Sequence, residues 1–400
     1  MADGWGTVPL GELATVFDGP HATPKRTQAG PWYLSISSLS EGKLDLAQSA
    51  RLSEEDYAGW TRRVRPMPGD TLFSYETRLG EAAHWSEDVP AALGRRMGLL
   101  RPKPGVDPRF LTYAYLSPQF QAEIDRRAIH GATVDRIPIK ELGSWPIAVP
   151  GLAEQRRIAG LLATLDELIE AERQAARQLD ELVGVLGRQF LTDLSPVSSA
   201  PLAEIAEISK GYSYKSAELV EGGGWLVNLK NVGRDGSFQA RGFKPLTGSP
   251  KPAQVVETGD ILVAQTDLTQ NREVIGRSVR VRRGLVEGPL TASLDLVIVR
   301  PGPQVTREYL FAVLGSPEFR AHALGFCNGT TVVHMGARAV PTFVAPVPPR
   351  ELLEAFSARV ALLRTEADAA IEAAERLERT RAELLPLLMS GGIRTREVAA

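Results

Sequence analysis

The chain has almost no sulfur chemistry: among its 400 residues there is one cysteine, Cys327. An intrachain disulfide is therefore excluded, and a reducing, cytoplasmic setting is the expectation. Long apolar runs are missing too. None approaches the roughly 20 residues that a bilayer-spanning helix needs, so no membrane association is expected. The opening stretch MADGWGTVPLGELA has neither a charged n-region nor an apolar h-region, and no signal peptide is expected. The five histidines, His21, His84, His130, His322 and His334, are scattered without metal-ligand spacing. There is no Walker loop, no GxGxxG, no Asn/Asp-Pro-Pro-aromatic tetrapeptide, no GxSxG elbow, no HExxH and no CxxC. Cys327 reads as a small packed residue, not a nucleophile. No catalytic constellation, cofactor or metal is expected. The net charge of −2 also lacks the basic excess of a free-standing nucleic-acid binder.

What the chain does have is the same text twice. "HGATV" from His130 aligns with "NGTTV" from Asn328, and Pro150 aligns with Pro348, both 198 residues apart. "RFLTYAYLSPQF" from Arg109 matches "EYLFAVLGSPEF" from Glu308, and Pro102 matches Pro301, both 199 apart. "PGDTLFS" at Gly69 matches "TGDILVA" at Gly259, "WYLSISSL" from Trp32 matches "WLVNLKNV" from Trp225, and "PLGELATV" from Pro9 matches "PLAEIAEI" from Pro201. The landmarks keep their order while the spacing drifts by fewer than about ten residues, which identifies a tandem duplication.

Each copy has one plan. A segment rich in Gly, Pro and β-branched runs reads as short strands and turns, with a short helix near "FLTYAYLSPQF". A proline-bounded connector then opens a long helix. In the first helix, alternating steps of four and three place Ile158, Leu162, Leu165, Ile169, Glu172, Ala176, Leu179, Val183, Leu186 and Phe190 on one stripe. In the second they place Phe356, Val360, Leu363, Ala367, Ala370, Ala374, Leu377, Arg381, Leu384 and Leu388 there. A 3.5-residue period of this length predicts a coiled-coil seam, and two seams matched in phase predict antiparallel pairing. About 32 helical residues would span about 48 Å, the dimension of a molecular ruler.

At this point the residues carry a resemblance. Gly131, Thr133, Pro146, Pro150, Glu154, Gln155, Ile158, Ala159, Leu162, Leu165, Asp166 and Ile169 reproduce a pattern of a Gly-x-Thr turn, a Pro-rich connector and "EQxxIAxxLxxLDxxI". It resembles the specificity subunits of type I restriction–modification systems, as does the "LLPLLMSGGI" ending from Leu384 to Ile393. The second copy keeps Glu354 but lacks the Gln and the Leu-Asp pair. The resemblance implies an α+β protein with pseudo-twofold symmetry: two mixed α/β target-recognition domains separated by two long antiparallel coiled-coil helices. It places the first recognition domain at residues 1–150, the central helix at 151–194, the second domain at 195–348, the C-terminal helix at 349–392 and a tail at 393–400. It further implies double-stranded DNA as ligand, two methyltransferase subunits docked on the helices, and restriction subunits joining that complex. The chain itself would be non-catalytic. Partners that supply phosphate contacts would remove the objection raised by the net charge.

Base reading needs Arg or Lys for guanine and Asn or Gln for adenine. In the first copy the candidates are Lys25, Arg26, Ser37, Tyr75, Thr77, Arg78, Arg95, Arg96, Thr133 and Arg136. In the second they are Lys210, Tyr212, Tyr214, Lys215, Lys230, Asn231, Arg234, Gln265, Thr266, Gln270, Asn271, Arg272, Thr331 and His334. Arg280 and Arg282 alternate along one expected strand, on a face suited to phosphates. The polar cluster "QTDLTQNR" interrupts an apolar strand pattern and is the strongest of these. The competing reading is a coiled-coil scaffold that reads no DNA; it explains the seams but not two elaborate domains diverging in their polar loops.

Overall fold

The computed structural model describes residues 4–40, 42–131, 134–194, 197–267, 271–282, 284, 286–329 and 332–393. The candidates Thr133, Gln270 and Thr331 lie outside the described residues. The chain divides into two compact units, residues 1–170 with 374–400, and residues 171–373. The division falls inside both long helices, which run from Leu152 to Asp193 and from Arg350 to Met389.

The first unit is built on an antiparallel sheet in the order Ala14–Asp18, Met97–Pro102, Thr71–Ser74, Ala82–His84. Period-two alternation splits its residues between two cores. Phe73 and Leu100 face a cluster with Phe110, Leu111, Phe120 and Trp145. Leu72 and Leu99, paired across the strands, face Leu34, Trp85 and Met97. A smaller sheet sets Thr27–Leu34 antiparallel to Ala50–Arg51 and parallel to Ala91–Leu93. Trp5–Pro9 pairs with the connector strand Pro146–Pro150, which leads straight into the first long helix. The helix Pro108–Leu116 starts where the chain chemistry dictates: Asp107 accepts from Phe110 N at 2.9 Å, with proline in the first turn.

The second unit repeats the main sheet and the connector pair, while its smaller sheets carry additional strands. Its main sheet runs Ala206–Lys210, Leu296–Pro301, Ile261–Ala264, Ser278–Arg280. Leu262 pairs with Ile298 as Leu72 pairs with Leu99. Trp225 sits in a parallel pair with Leu290 as Trp32 does with Ala91. Ser199–Pro201 pairs with Val344–Pro346 ahead of the second long helix. The register of the duplication is thus the register of the sheets.

Within each unit the early half of one long helix packs against the late half of the other, an antiparallel arrangement. In the first unit, Ile158, Leu162, Leu384, Leu385 and Leu388 share one core. In the second, Val183, Leu186 and Phe190 share a core with Phe356 and Val360, and the Phe190 and Phe356 rings stack with centroids 4.3 Å apart. Every position on both expected stripes, including Leu165, Ile169, Leu179, Leu363 and Leu377, is buried or half-buried. Of the two polar positions, Glu172 is half-buried and Arg381 pairs with Asp166. Among the described residues, no helix is long and apolar enough to cross a membrane.

One buried group of the signature acts locally. Gln155, 3% exposed, donates to Pro150 O at 2.9 Å and accepts from Asp107 N at 2.9 Å, tying the connector to the cap of the short helix. Its counterpart in the second copy is Leu353, also buried, and there Ser357 Oγ donates to the capping Thr306 at 2.6 Å. The missing Gln is therefore a rewired joint.

Candidate nucleic-acid interface

In each unit three segments converge at the end of the central sheet. In the first, Tyr75 N donates to Arg96 O at 3.2 Å, and Ile137 N donates to Tyr75 O at 2.9 Å. In the second, Gln265 N donates to Asp295 O at 2.7 Å, and Met335 N donates to Gln265 O at 2.8 Å. Tyr75 and Gln265 are repeat equivalents, and so are their partners. A strand exit, a tight turn and the segment that follows the signature glycine therefore form one platform, built twice. The signature glycine is required sterically: Gly329 has φ +109°, and a Cβ there would lie 2.2 Å from Val332 O.

The platforms hold unusual backbone. Thr77, Arg96 and Arg272 are the positive-φ non-glycine residues among the described residues, at 68°, 71° and 52°. For a β-branched residue such as Thr77 this conformation is costly, and such strain concentrates at functional sites. Arg96 is held by an ion pair with Glu76, a residue the sequence did not single out. Arg272 is held through its own carbonyl, which accepts from Arg320 Nη2 at 2.8 Å. The buried carboxylate of Asp267 closes the same loop by accepting from Val274 N at 2.7 Å and Ile275 N at 2.9 Å. Neither Asp267 nor Arg320 carries a sequence signal that marks this role.

The sequence candidates fall into three settings. Lys25, Arg26, Arg95, Arg136, Lys230, Asn271 and Arg272 are exposed. Ser37, Thr77, Lys210, Lys215 and His334 are exposed as well, and Arg234 is exposed beside Glu273 at 3.1 Å. A second group is half-buried and engaged. Arg78 donates to Leu39 O at 2.6 Å and to Glu81 at 3.0 Å. Tyr212 OH donates to Glu218 at 2.8 Å, and Lys244 Nζ lies 5.6 Å from the Tyr214 ring. Arg280 Nη2 donates to both oxygens of Asp368 at 2.9 Å, with Arg282 Nε 3.7 Å from the same carboxylate. The strand expected through Arg282 ends at Arg280, yet both side chains reach one aspartate of the second long helix. Gln265 is half-buried at the centre of its platform.

The third group is buried. Asn231 is fully buried, and its amide donates to Gln239 O at 2.9 Å and Arg241 O at 3.1 Å, so it holds its own loop closed. Thr266 is 6% exposed, its hydroxyl 3.4 Å from His334 Nδ1. Tyr75 is buried with an unpartnered hydroxyl, and burial, with the Asp18 charge next in size, pushes its proton affinity up to about 12. Among the described residues no group of three or more metal-ligating side chains gathers.

No family model matches the chain. Along its length it is similar to the type I restriction enzyme MjaX specificity subunit of Methanocaldococcus jannaschii, 22% identical over 414 residues covering 96% of this chain and 92% of that one. The MjaVIII specificity subunit of the same organism is 21% identical over 306 residues, 72% of this chain and 71% of the relative. The StySPI specificity subunit of Salmonella potsdam is 24% identical over 201 residues, 46% of this chain and 41% of that protein. Among solved structures, the S subunit of a type I restriction–modification system from M. genitalium has the same fold, with a TM-score of 0.56 at 17% identity and 96% of each chain covered.

Proposed function

We propose, from this full-length likeness to type I restriction specificity subunits, that the chain gives a type I restriction–modification complex its DNA sequence specificity. Each unit reads one half of a bipartite site in double-stranded DNA, and the chain itself catalyses nothing. The paired long helices set the gap between half-sites, which must suit a DNA repeat of about 34–36 Å. Two methyltransferase subunits dock on the helices, and restriction subunits complete the assembly. The platform built twice around Tyr75 and Gln265, with its three strained side-chain-bearing residues, is the observation that carries this reading. Exposed Arg95, Arg136, Asn271 and Arg272 on its rims are of the types that grip phosphates and base edges.

The test is methylation sequencing of cells carrying the chain together with its operon's methyltransferase. The expected result is methylation within one split sequence. Assembly with the methyltransferase but binding indifferent to sequence would leave the scaffold reading in its place.

A further inference from the structure

The two units differ where the long helices meet the short helix packed beside them. In the first unit Asp166 accepts from the Tyr113 hydroxyl at 2.7 Å and pairs with Arg381 Nε at 2.5 Å. The charges there are balanced, acid against base, and the tyrosine hydroxyl is bonded to the acid. The repeat register carries Asp166 to Arg364, Arg381 to Val183 and Tyr113 to Ala312. The acid has become a base, the base an aliphatic residue, and the aromatic ring a methyl group. All three second-unit residues line one cavity of about 650 Å³. Divergence has removed the filling side chain and the neutralising partner together.

Arg364 is 7% exposed, and its guanidinium carbon lies 4.4 Å from the centre of the Phe311 ring. Among the described residues it has no ion pair. Asp180 and Glu308 line the same wall and attract it without reaching it, and Asp368, one turn along its own helix, is taken by Arg280. Burial first, and the like charge of Arg280 second, depress the proton affinity of Arg364 to about 10. Two further groups on the cavity wall are left unsatisfied: Arg280 Nε and the Ser278 hydroxyl are buried without a hydrogen-bond partner. A buried, unbalanced guanidinium is costly, and orphaned donors beside it mark a place for an anion. Seven arginines and four carboxylates line the wall, and Asp368 beside it pairs with two of those arginines, Arg280 and Arg282.

We propose that this cavity binds a small phosphate-bearing ligand, with Arg364 as its anchor. Arginine forks and a hydroxyl match tetrahedral phosphate oxygens, and the volume lies within the usual range for small-molecule sites. The depth of Arg364 favours a free ligand over the backbone of a duplex. This site stands independently of the DNA-reading function.

Isothermal titration of the full chain with inorganic pyrophosphate, at constant ionic strength, tests it. The expected result is a single saturable site, weakened at least tenfold by Arg364→Met, with a pyrophosphate-dependent rise in Tm that the variant lacks. Ala312→Tyr, which restores the first unit's ring, should fill the cavity and abolish binding while leaving Arg364 in place. The proposal is overturned if the wild-type chain shows no saturable binding, if both variants bind as it does, or if only a short DNA duplex, and not pyrophosphate, protects it.

Discussion

Arg101 holds Asp70 with two hydrogen bonds, Nε to Oδ1 at 2.9 Å and Nη2 to Oδ2 at 2.7 Å, on a carboxylate only 1% exposed. Met67 N donates to the same carboxylate at 2.8 Å. The second unit contains the same device: Arg300 Nη2 donates to Asp260 at 2.6 Å, and Glu257 N donates to it at 3.0 Å. The pair fastens the turn before the central strand to the strand beside it. Its hydrogen bond to Asp70 is also the main reason Arg101 holds its proton more tightly than a free guanidinium.

Breaking such a pair from one side leaves a buried charge alone, at a cost of about 3–5 kcal/mol. Arg101→Ala should destabilise the first unit by that order, and Arg300→Ala the second. Tryptophan fluorescence separates the two, because Trp225 is in the second unit while Trp5, Trp32, Trp60, Trp85 and Trp145 are in the first. Denaturant unfolding in which Arg101→Ala leaves the dominant fluorescence transition unmoved would contradict this role.

Gln155→Leu copies the second unit's residue into the first. Without the compensating Ser357–Thr306 bond, Pro150 O and Asp107 N lose their buried partner, at a cost of about 1–3 kcal/mol. The expected outcome is a lower unfolding midpoint with unchanged slope. A neutral result would show that water replaces the amide.

Thr77→Gly removes a side chain from a left-handed conformation and should leave the first unit as stable as before or more stable by about 1 kcal/mol. The same variant should loosen recognition of the first half-site, read as degenerate methylation on that side only. Arg272→Ala is the matching experiment in the second unit. A changed base preference at one half-site marks base reading, whereas uniform weakening with a shallower salt dependence marks a phosphate contact.

Tyr75 gives a prediction in pH. The unfolded chain releases a tyrosine proton near about 10, while the folded chain keeps this one to about 12. Between those values the folded form binds more protons, so stability falls as pH rises through the window. Tyr75→Phe removes that contribution. The variant should match the wild type at neutral pH, where the hydroxyl has no partner to lose, and gain on it progressively above pH 10. Urea unfolding at several alkaline pH values checks the sign.

The duplication and the helical seams were legible because they are periodic. A stripe such as Ile158, Leu162 and Ile169 must face apolar surface wherever the helix lies, and the structure buries all three. Candidate side chains had no comparable rule. Asn231 and Lys230 are neighbours in one polar string, yet the first is sealed inside its loop and the second is exposed. Arg280 and Arg282 looked available for phosphates, and their partner Asp368 is 88 and 86 positions away. Glu76 and Asp267 set the platform loops through contacts that no local pattern announces.

What the amino-acid order determined alone was therefore repetition and amphipathicity: two copies, each with short strands and turns, and two seams. These follow from nearest-neighbour geometry, since a strand repeats every two residues and a helix about every 3.6. Tertiary structure alone decided which polar groups face solvent, which are spent on each other, and where Arg364 is left with a cavity instead of a partner. Such outcomes depend on desolvation and on partners far apart in the chain, and a polar residue's letter is the same whether its hydrogen bonds are met by protein or by water.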